Sequence, residues 1–537
     1  MIRDGKIWVA NNMDGEPVYL LPRMSNRHGL VAGATGTGKT VTLKVLAESF
    51  SEMGVPVFMA DVKGDIAPMM KAGEDSQNMQ ERIERFGLAE HGFQYQGYPV
   101  QIWDIYGKTG IPLRTTISQM GPLLLSRILG LNDLQSDILT IVFKIADDNH
   151  LLLIDTKDLK AMLAYVDEHA ADFQQEYGKV SSASIGVITR AIVALEMEGG
   201  DIFFGEPDLN VTDWLGLGAG GYGMINILDS SSLINSGKLY STFLLWLLSE
   251  LFEIMPEVGD LDKPKMIFFF DEAHLLFNDA PKALLEKIEQ MVKLIRSKGV
   301  GVYFCTQNPR DVPDGVLAQL NNKIQHGLRA YTPADQKAVR AAADAFRVNP
   351  DFDTYETILA LGTGEAVIST LGEDGIPCVA QKCFVLPPKS TFGTITDAER
   401  DQAVKGSLMY SKYAQMVDNQ SAYEDLAKKV EEEAAAAAAA KEEAAAAAAA
   451  EKERIAAEKA KEKEAAAAAK AAEREKEKEE RQRKQAMKSV GNSLAGTVGR
   501  QVGKTLGGTF GTFGKTLGGN VGASLGRGLL GTLFKNK

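Results

Sequence analysis

Apolar runs and helical periods alternate along the first 390 residues, and their order sets the expected fold. Lys6–Ala10 and Val18–Leu21 flank Asn11–Gly15 as a hairpin or small strand pair. Leu30–Ala32 is a short apolar strand, followed by a glycine-rich loop and by Val41–Ala47, which reads as a helix. Val55–Ala60 is a second buried strand. From about Thr115 to Leu215 the strand pattern stops and helical period takes over. It is clearest in Ser118–Leu129 and in Ser181–Met197, the latter stopped by Gly199 and Gly200. Strand signals return at Tyr222–Leu228, and an apolar helix covers Tyr240–Ile254. Met266–Phe270 is a continuous apolar run, as a strand buried on both faces should be, and Gly301–Thr306 is the next strand. Asn322–Arg329 reads as an edge-like strand, and Thr332-Pro333-Ala334-Asp335 opens another helix, with Thr as cap and Pro in the first turn. Strands alternating with helices predict an α/β fold with a mostly parallel sheet and helices on both faces.

From about Tyr423 the pattern changes to Ala, Glu and Lys, the strongest helix formers, with almost no large apolar residues. Such a segment cannot sustain a leucine seam, so a solvated single helix held by i, i+4 charge pairs is expected over 424–487, with flexible low complexity as the alternative. Fully helical, it would reach about 95 Å. Residues 488–537 break with this again: they hold no acid and seven basic residues, and glycine recurs every three or four positions. Val502–Thr512 repeats as Phe513–Ala523, which would place a glycine stripe on one helix face and Leu506, Phe510, Phe513 and Leu517 on another. A flexible basic tail, a membrane-surface helix and a self-association seam all fit this pattern.

A chain of 537 residues implies two or three structural units. Its net charge of −12 advertises no global positive field for nucleic acid, although a local basic channel is compatible with it. Cys305, Cys378 and Cys383 form no C-x-x-C pair, and the six histidines show no metal-ligand spacing. The N-terminus lacks a signal pattern, and no apolar run is long enough to span a bilayer. The expected location is the cytoplasm, with peripheral membrane association through the tail as an option.

The chemistry starts at Gly33-Ala34-Thr35-Gly36-Thr37-Gly38-Lys39-Thr40, which satisfies G-x-x-x-x-G-K-[ST] between a strand and a helix. In this pattern backbone N–H groups from Gly33 to Val41 wrap nucleotide phosphates, Lys39 faces the β- and γ-phosphates, and Thr40 offers a hydroxyl to Mg²⁺. Gly-Lys-Thr recurs at Gly503 and Gly514, but Val498 and Thr509 replace the earlier glycine, so neither copy should bind nucleotide. Asp61, Lys63 and Asp65 follow the second strand and are site candidates by position, with an ordinary aspartate-capped turn as the alternative. Asp271 and Glu272 end the run Met266–Phe270: Asp271 suits the Mg²⁺ shell and Glu272 the general base that polarises the attacking water. Gln307, after the next strand, suits a γ-phosphate sensor or water-orienting role. Arg329 is a candidate arginine finger, in its own subunit or a neighbour's, with Arg310 in reserve; a solvated surface arginine is the alternative.

Together the phosphate loop, Asp61-Val-Lys-Gly-Asp65, Asp271-Glu-Ala-His274, Thr306-Gln-Asn-Pro309 and the Arg329 block resemble the bacterial HerA-like ATPases of the HerA/FtsK superfamily. The resemblance covers about residues 1–390, with Leu361-Gly-Thr-Gly-Glu-Ala366 as a further core element. It implies a RecA-like core, ATP and Mg²⁺ as cofactors, assembly into a homo-oligomeric and usually hexameric ring, and motor action on DNA. The same match assigns Lys39 and Thr40 to the phosphate loop, Asp271 to the metal, Glu272 to the base, Gln307 to the sensor and Arg329 to the arginine. Residues 1–115 and 216–390 are then expected to be two parts of one ATPase core. Residues 116–215 are a helical insertion, 391–423 a helical connector, 424–487 the charged helix and 488–537 the tail. Asp-Glu-Ala-His also occurs in superfamily 2 helicases, but no second motor domain is visible, and the transporter signature Leu-Ser-Gly-Gly-Gln is absent. Two other readings stay open: an ATP-gated scaffold whose arm and tail recruit a membrane or protein partner, and a protein-translocation ATPase.

Overall fold

Thirteen strands of the described residues join one mixed sheet. A computed structural model gives the positions of residues 1–232, 237–278 and 282–488; the tail expected over 488–537 lies, apart from Lys488, outside the described residues. Residues Met1–Ala435 form one compact unit, and residues from Ala436 onward form a second.

The sheet has a parallel body and an antiparallel wing. Its body runs in the order Asn322–His326, Gly29–Ala32, Val300–Thr306, Met266–Phe270, Val57–Asp61, Ile225–Asp229, Val100–Asp104 and Ile111–Pro112, each parallel to the next. Gly29–Ala32, Val57–Asp61, Met266–Phe270 and Val300–Thr306 are buried along their whole length, which explains their uninterrupted apolar runs. Beyond Asn322–His326 the sheet continues antiparallel through Glu365–Ser369, Gln381–Val385 and Lys6–Asn12, and Lys6–Asn12 forms the expected hairpin with Pro17–Leu20. This wing corrects one expectation. Asn322–His326 is an internal strand, hydrogen-bonded on both sides, and it ends three residues before Arg329.

The helix Lys39–Glu52 leaves the phosphate loop and buries Leu43, Leu46, Ala47 and Phe50 against the sheet. Gly38 precedes it with φ 117° and no side chain caps it, so its first N–H groups stay available to an anion. Gly237–Ile254 is a longer apolar helix, with Phe243, Leu244, Leu247 and Leu251 fully buried.

Between Ile117 and Phe203 the chain is helical. Thr116 with Gln119, Asn132 with Gln135 and Asp155 with Asp158 form reciprocal capping boxes at the starts of Ile117–Leu129, Asp133–Asp148 and Thr156–Glu168. Leu125, Ile138, Val142 and Leu159 carry these helices into the main core, joined by Ile188 and Ile192 of the helix Ser182–Met197. Helices Asp397–Lys405 and Leu408–Tyr413 are tied to the body by Arg400 on Asp229 at 2.7 Å and by the buried Tyr413, whose hydroxyl donates to Asp213. Ala422–Lys488 is a single helix, exposed from Val430 through Gln482. Among the described residues no single helix is long and apolar enough to cross a membrane.

Candidate active site

Four parallel strands deliver an aspartate at their carboxyl ends, and the structure uses these side chains differently. Asp104 holds its own loop, accepting from the N–H groups of Tyr106, Lys108 and Thr109. Asp229 is paired with Arg400. Asp61 also acts on its own turn: Oδ1 accepts from the N–H groups of Lys63, Gly64 and Asp65, and Oδ2 from Ile66 at 2.9 Å. Burial raises the Asp61 carboxyl to about 6 despite these donors. The capped-turn alternative therefore describes Asp61, and what the turn presents is Lys63.

The phosphate loop is stitched to strands on either side. Gly33 N donates to Thr306 O at 3.2 Å, Ala34 N to Gly327 O at 2.9 Å, and Thr37 O accepts from Gly364 N at 3.0 Å. Gly33 has φ 156°, and a Cβ there would lie 2.5 Å from the Cβ of His326, so no larger residue fits. Thr35 and Gly36 form the exposed tip, Thr37 is buried with its hydroxyl on Ala34 O, and Gly38, Thr40 and Val41 are half-buried. The Lys39 ammonium is buried and folds back on the loop, donating to Gly33 O at 2.7 Å and Ala34 O at 3.2 Å. Burial lowers its pKa, opposed by the charges of Asp271 and Glu272.

Asp271 and Glu272 are buried where Met266–Phe270 ends. Burial pushes the Asp271 carboxyl up, against the charge of Lys63. For Glu272 burial acts in the same sense, but the Lys63 ammonium, 3.1 Å from Oε1, and the Gln307 amide hold its pKa below the ordinary value. Gln307 Nε2 reaches Glu272 Oε1 at 3.3 Å while its Oε1 accepts from Thr35 Oγ1 at 3.4 Å, so Gln307 bridges the base candidate and the loop tip. His274 Nδ1 lies 3.4 Å from the other Glu272 oxygen. Glu272 has φ 48°, a left-handed conformation that a non-glycine residue adopts at a cost of about 1–3 kcal/mol.

The site thus brings together Thr35, Lys39, Asp271, Glu272 and Gln307. It does not bring Arg329 into contact with them: Arg329 is exposed in the loop before Pro333–Asp344, and its side chain has no polar partner among the described residues. Arg310 is exposed as well, in a short turn after Gln307. The sequence reading gave no role to two groups. Lys63 was visible by position but not by role. His326 lies buried behind the loop, donating from Nδ1 to Glu365 O at 2.9 Å and accepting at Nε2 from Thr42 Oγ1 at 2.8 Å; its only sequence signal was membership of the Asn322–Arg329 block.

Among the described residues no cluster of three His, Cys, Asp or Glu forms a protein-only metal cage. In nucleotide sites Mg²⁺ takes one or two protein ligands and fills its octahedron with phosphate oxygens and water. The Thr40 hydroxyl, without a hydrogen-bond partner among the described residues, and the Asp271 carboxylate are the donors that fit.

The family model described as helicase HerA-like C-terminal matches residues 7–517. The chain belongs to the HerA-like helicase family. The DNA double-strand break repair helicase HerA of Sulfurisphaera tokodaii is 23% identical over 356 residues, which are 64% of this chain and 62% of that protein. A protein named as a probable helicase of Methanocaldococcus jannaschii is 29% identical over 146 residues, 26% of each chain. The chain therefore spans less than two thirds of the length of these relatives. A structure of the plasmid coupling protein TrwB in complex with ADP and Mg²⁺ aligns with a TM-score of 0.47 at 17% identity, over 74% of this chain and 92% of TrwB. The parallel body of the HerA-like chain, with its phosphate loop at a strand-to-helix turn, is a RecA-like P-loop NTPase core.

Proposed function

We propose that this HerA-like chain hydrolyses ATP to ADP and phosphate and, as a ring of identical subunits, uses the energy to translocate or remodel DNA. The observation that carries the hydrolytic half is the Thr35–Gln307–Glu272 bridge, which joins the tip of the phosphate loop to a buried, ionised carboxylate. In this reading the loop N–H groups and the helix Lys39–Glu52 bind the phosphates, and Lys39 exchanges its two carbonyl partners for phosphate oxygens. Glu272 takes the proton of the attacking water, and Gln307 orients that water. Thr40 and Asp271 would hold Mg²⁺, which would supply neutralisation of the phosphate charge. A hexamer, with Arg329 reaching a neighbour's nucleotide, fits that side chain's exposure and its lack of a polar partner among the described residues.

The DNA half is supported by family membership and by a relative named as a DNA double-strand break repair helicase. It is tested by the ATPase rate of the full chain with and without single- and double-stranded DNA, alongside salt-dependent DNA binding. Stimulation is expected; an unchanged rate with no salt-sensitive binding would sink the motor reading. A nucleotide-gated scaffold is the second reading, favoured by the long exposed helix Ala422–Lys488 and the seven basic residues of 488–537. Deleting 488–537 separates the two, because only the scaffold requires the tail for assembly or liposome binding.

A further inference from the structure

A cation lies on the side of the phosphate loop away from Glu272, and no described group neutralises it. Helix Gln77–Phe86 is capped by Ser76 and closed by Gly87 at φ 61°, and its Phe86 packs with Trp8 and Val45. Arg82 and Arg85 stand three residues apart on this helix. Arg85 is satisfied, its guanidinium 4.5 Å from the Phe384 ring. Arg82 is half-buried and has no hydrogen bond, ion pair or ring contact with any described residue. Burial lowers its pKa, and the like charge of Arg85 lowers it further.

One glycine separates that guanidinium from the loop. A Cβ on Gly364, which has φ 82°, would lie 3.0 Å from Arg82 Nη2 and 3.3 Å from Nη1. The same Gly364 donates its N–H to Thr37 O at 3.0 Å, and a Cβ on Gly38 would lie 3.3 Å from Gly364 N. Gly364 therefore lies between the Arg82 guanidinium and the Thr37–Gly38 end of the loop, the stretch leading into Lys39–Val41. Glu272 and Gln307 meet the loop at Thr35 instead. The backbone around Gly38 to Val41 is where such loops cradle the α- and β-phosphates. A half-buried guanidinium without an anion carries a desolvation cost that a phosphate oxygen would offset, and its planar fork suits that partner.

We infer that Arg82 is a nucleotide-binding residue that reaches, within its own subunit, the α-phosphate end of the nucleotide held by Gly33–Thr40. The inference rests on the nucleotide-binding reading above and adds to it a contact independent of the γ-phosphate. It assigns Arg82 to affinity rather than to the hydrolytic step.

The test is calorimetric titration of ADP and of a non-hydrolysable ATP analogue into the full chain, with Arg82→Ala, Arg82→Lys and, as control, Arg85→Ala. Arg82→Ala is expected to weaken both nucleotides equally, by about tenfold, the scale of one charge-assisted hydrogen bond. Arg82→Lys should recover part of the loss, and Arg85→Ala should bind like wild type. Thermal unfolding checks each variant; if the alanine variant unfolds, the Arg82→Lys and Arg82→Gln pair decides, with Gln expected to be the weaker binder. Wild-type affinity for ADP in a folded Arg82→Ala or Arg82→Gln protein overturns the inference, as does a loss confined to the triphosphate. Wild-type protein that binds neither nucleotide would instead remove the underlying nucleotide-binding reading.

Discussion

The Lys63 ammonium sits 3.1 Å from Glu272 Oε1, although the two residues belong to different strand ends of the sheet. The contact is held from behind, because Asp61 organises the turn that carries Lys63 through backbone N–H groups. Glu272 is buried, so few other groups fix its carboxylate: Gln307 on one side and His274 on the other. Replacing Lys63 by Ala should let that carboxylate drift from the loop tip. The expected result is a fall of about tenfold in kcat with KM for ATP unchanged, largely restored in Lys63→Arg. Steady-state ATPase kinetics check it; a raised KM with normal kcat would place Lys63 on the nucleotide instead of on the base.

Glu272 and Lys39 should fail in different ways. Glu272→Gln keeps the volume and the contact with Gln307 but cannot take a proton, so nucleotide affinity should persist while kcat drops by about 10² or more. Lys39→Ala removes the ammonium that holds Gly33 O and Ala34 O and that would face the phosphates, and should abolish nucleotide binding. Nucleotide titration beside a turnover assay separates the two, and normal turnover in Glu272→Gln would refute its role as base.

Local signals carried most of the P-loop NTPase core. The phosphate loop is legible because its glycines, lysine and threonine are consecutive and lie between a strand and a helix. Asp271 and Glu272 are legible because five apolar residues, buried on both faces, deliver them to one sheet edge. Strand order is a different matter. Glu365–Ser369 and Gln381–Val385 are short and mix polar with apolar residues, so nothing local announces that the first pairs with Asn322–His326, turning an apparent edge into an interior strand, and that the second extends the sheet beyond it. Lys63 on Glu272, His326 behind Gly33 and Arg82 behind Gly364 arise from residues far apart in sequence, and no spacing encodes them.

Arg329 is expected to act across a subunit boundary. It is exposed and unpaired among the described residues, and Tyr331 beside it is 86% exposed, an aromatic surface suited to a contact between copies of this chain. Arg329→Ala should lower the rate of the assembled ATPase by about 10³ while leaving nucleotide affinity unchanged. Mixing Arg329→Ala with Lys39→Ala subunits should restore part of the activity, since each Lys39→Ala subunit still lends its arginine to an intact neighbouring loop. No recovery on mixing would assign Arg329 to its own subunit or to no catalytic role.

Two buried histidines should shape stability below neutral pH. Burial lowers both His28 and His326 from 6.5 to about 4, and Lys39 adds to the effect at His326. As pH falls through 6.5 the unfolded chain takes up these protons while the folded chain does not, so this contribution is complete above about 6.5. It is lost progressively down to about 4, below which no more is lost. Each histidine accounts for up to about 3 kcal/mol over that window. Asp61, raised to about 6, works in the opposite direction, its contribution being lost as pH rises through that value. The histidine part is isolated by comparing Tm against pH for wild type and His326→Gln, which can still donate to Glu365 O and accept from Thr42. The variant should show the shallower fall between pH 6.5 and 4.5; parallel curves would mean that His326 is already protonated in the folded chain.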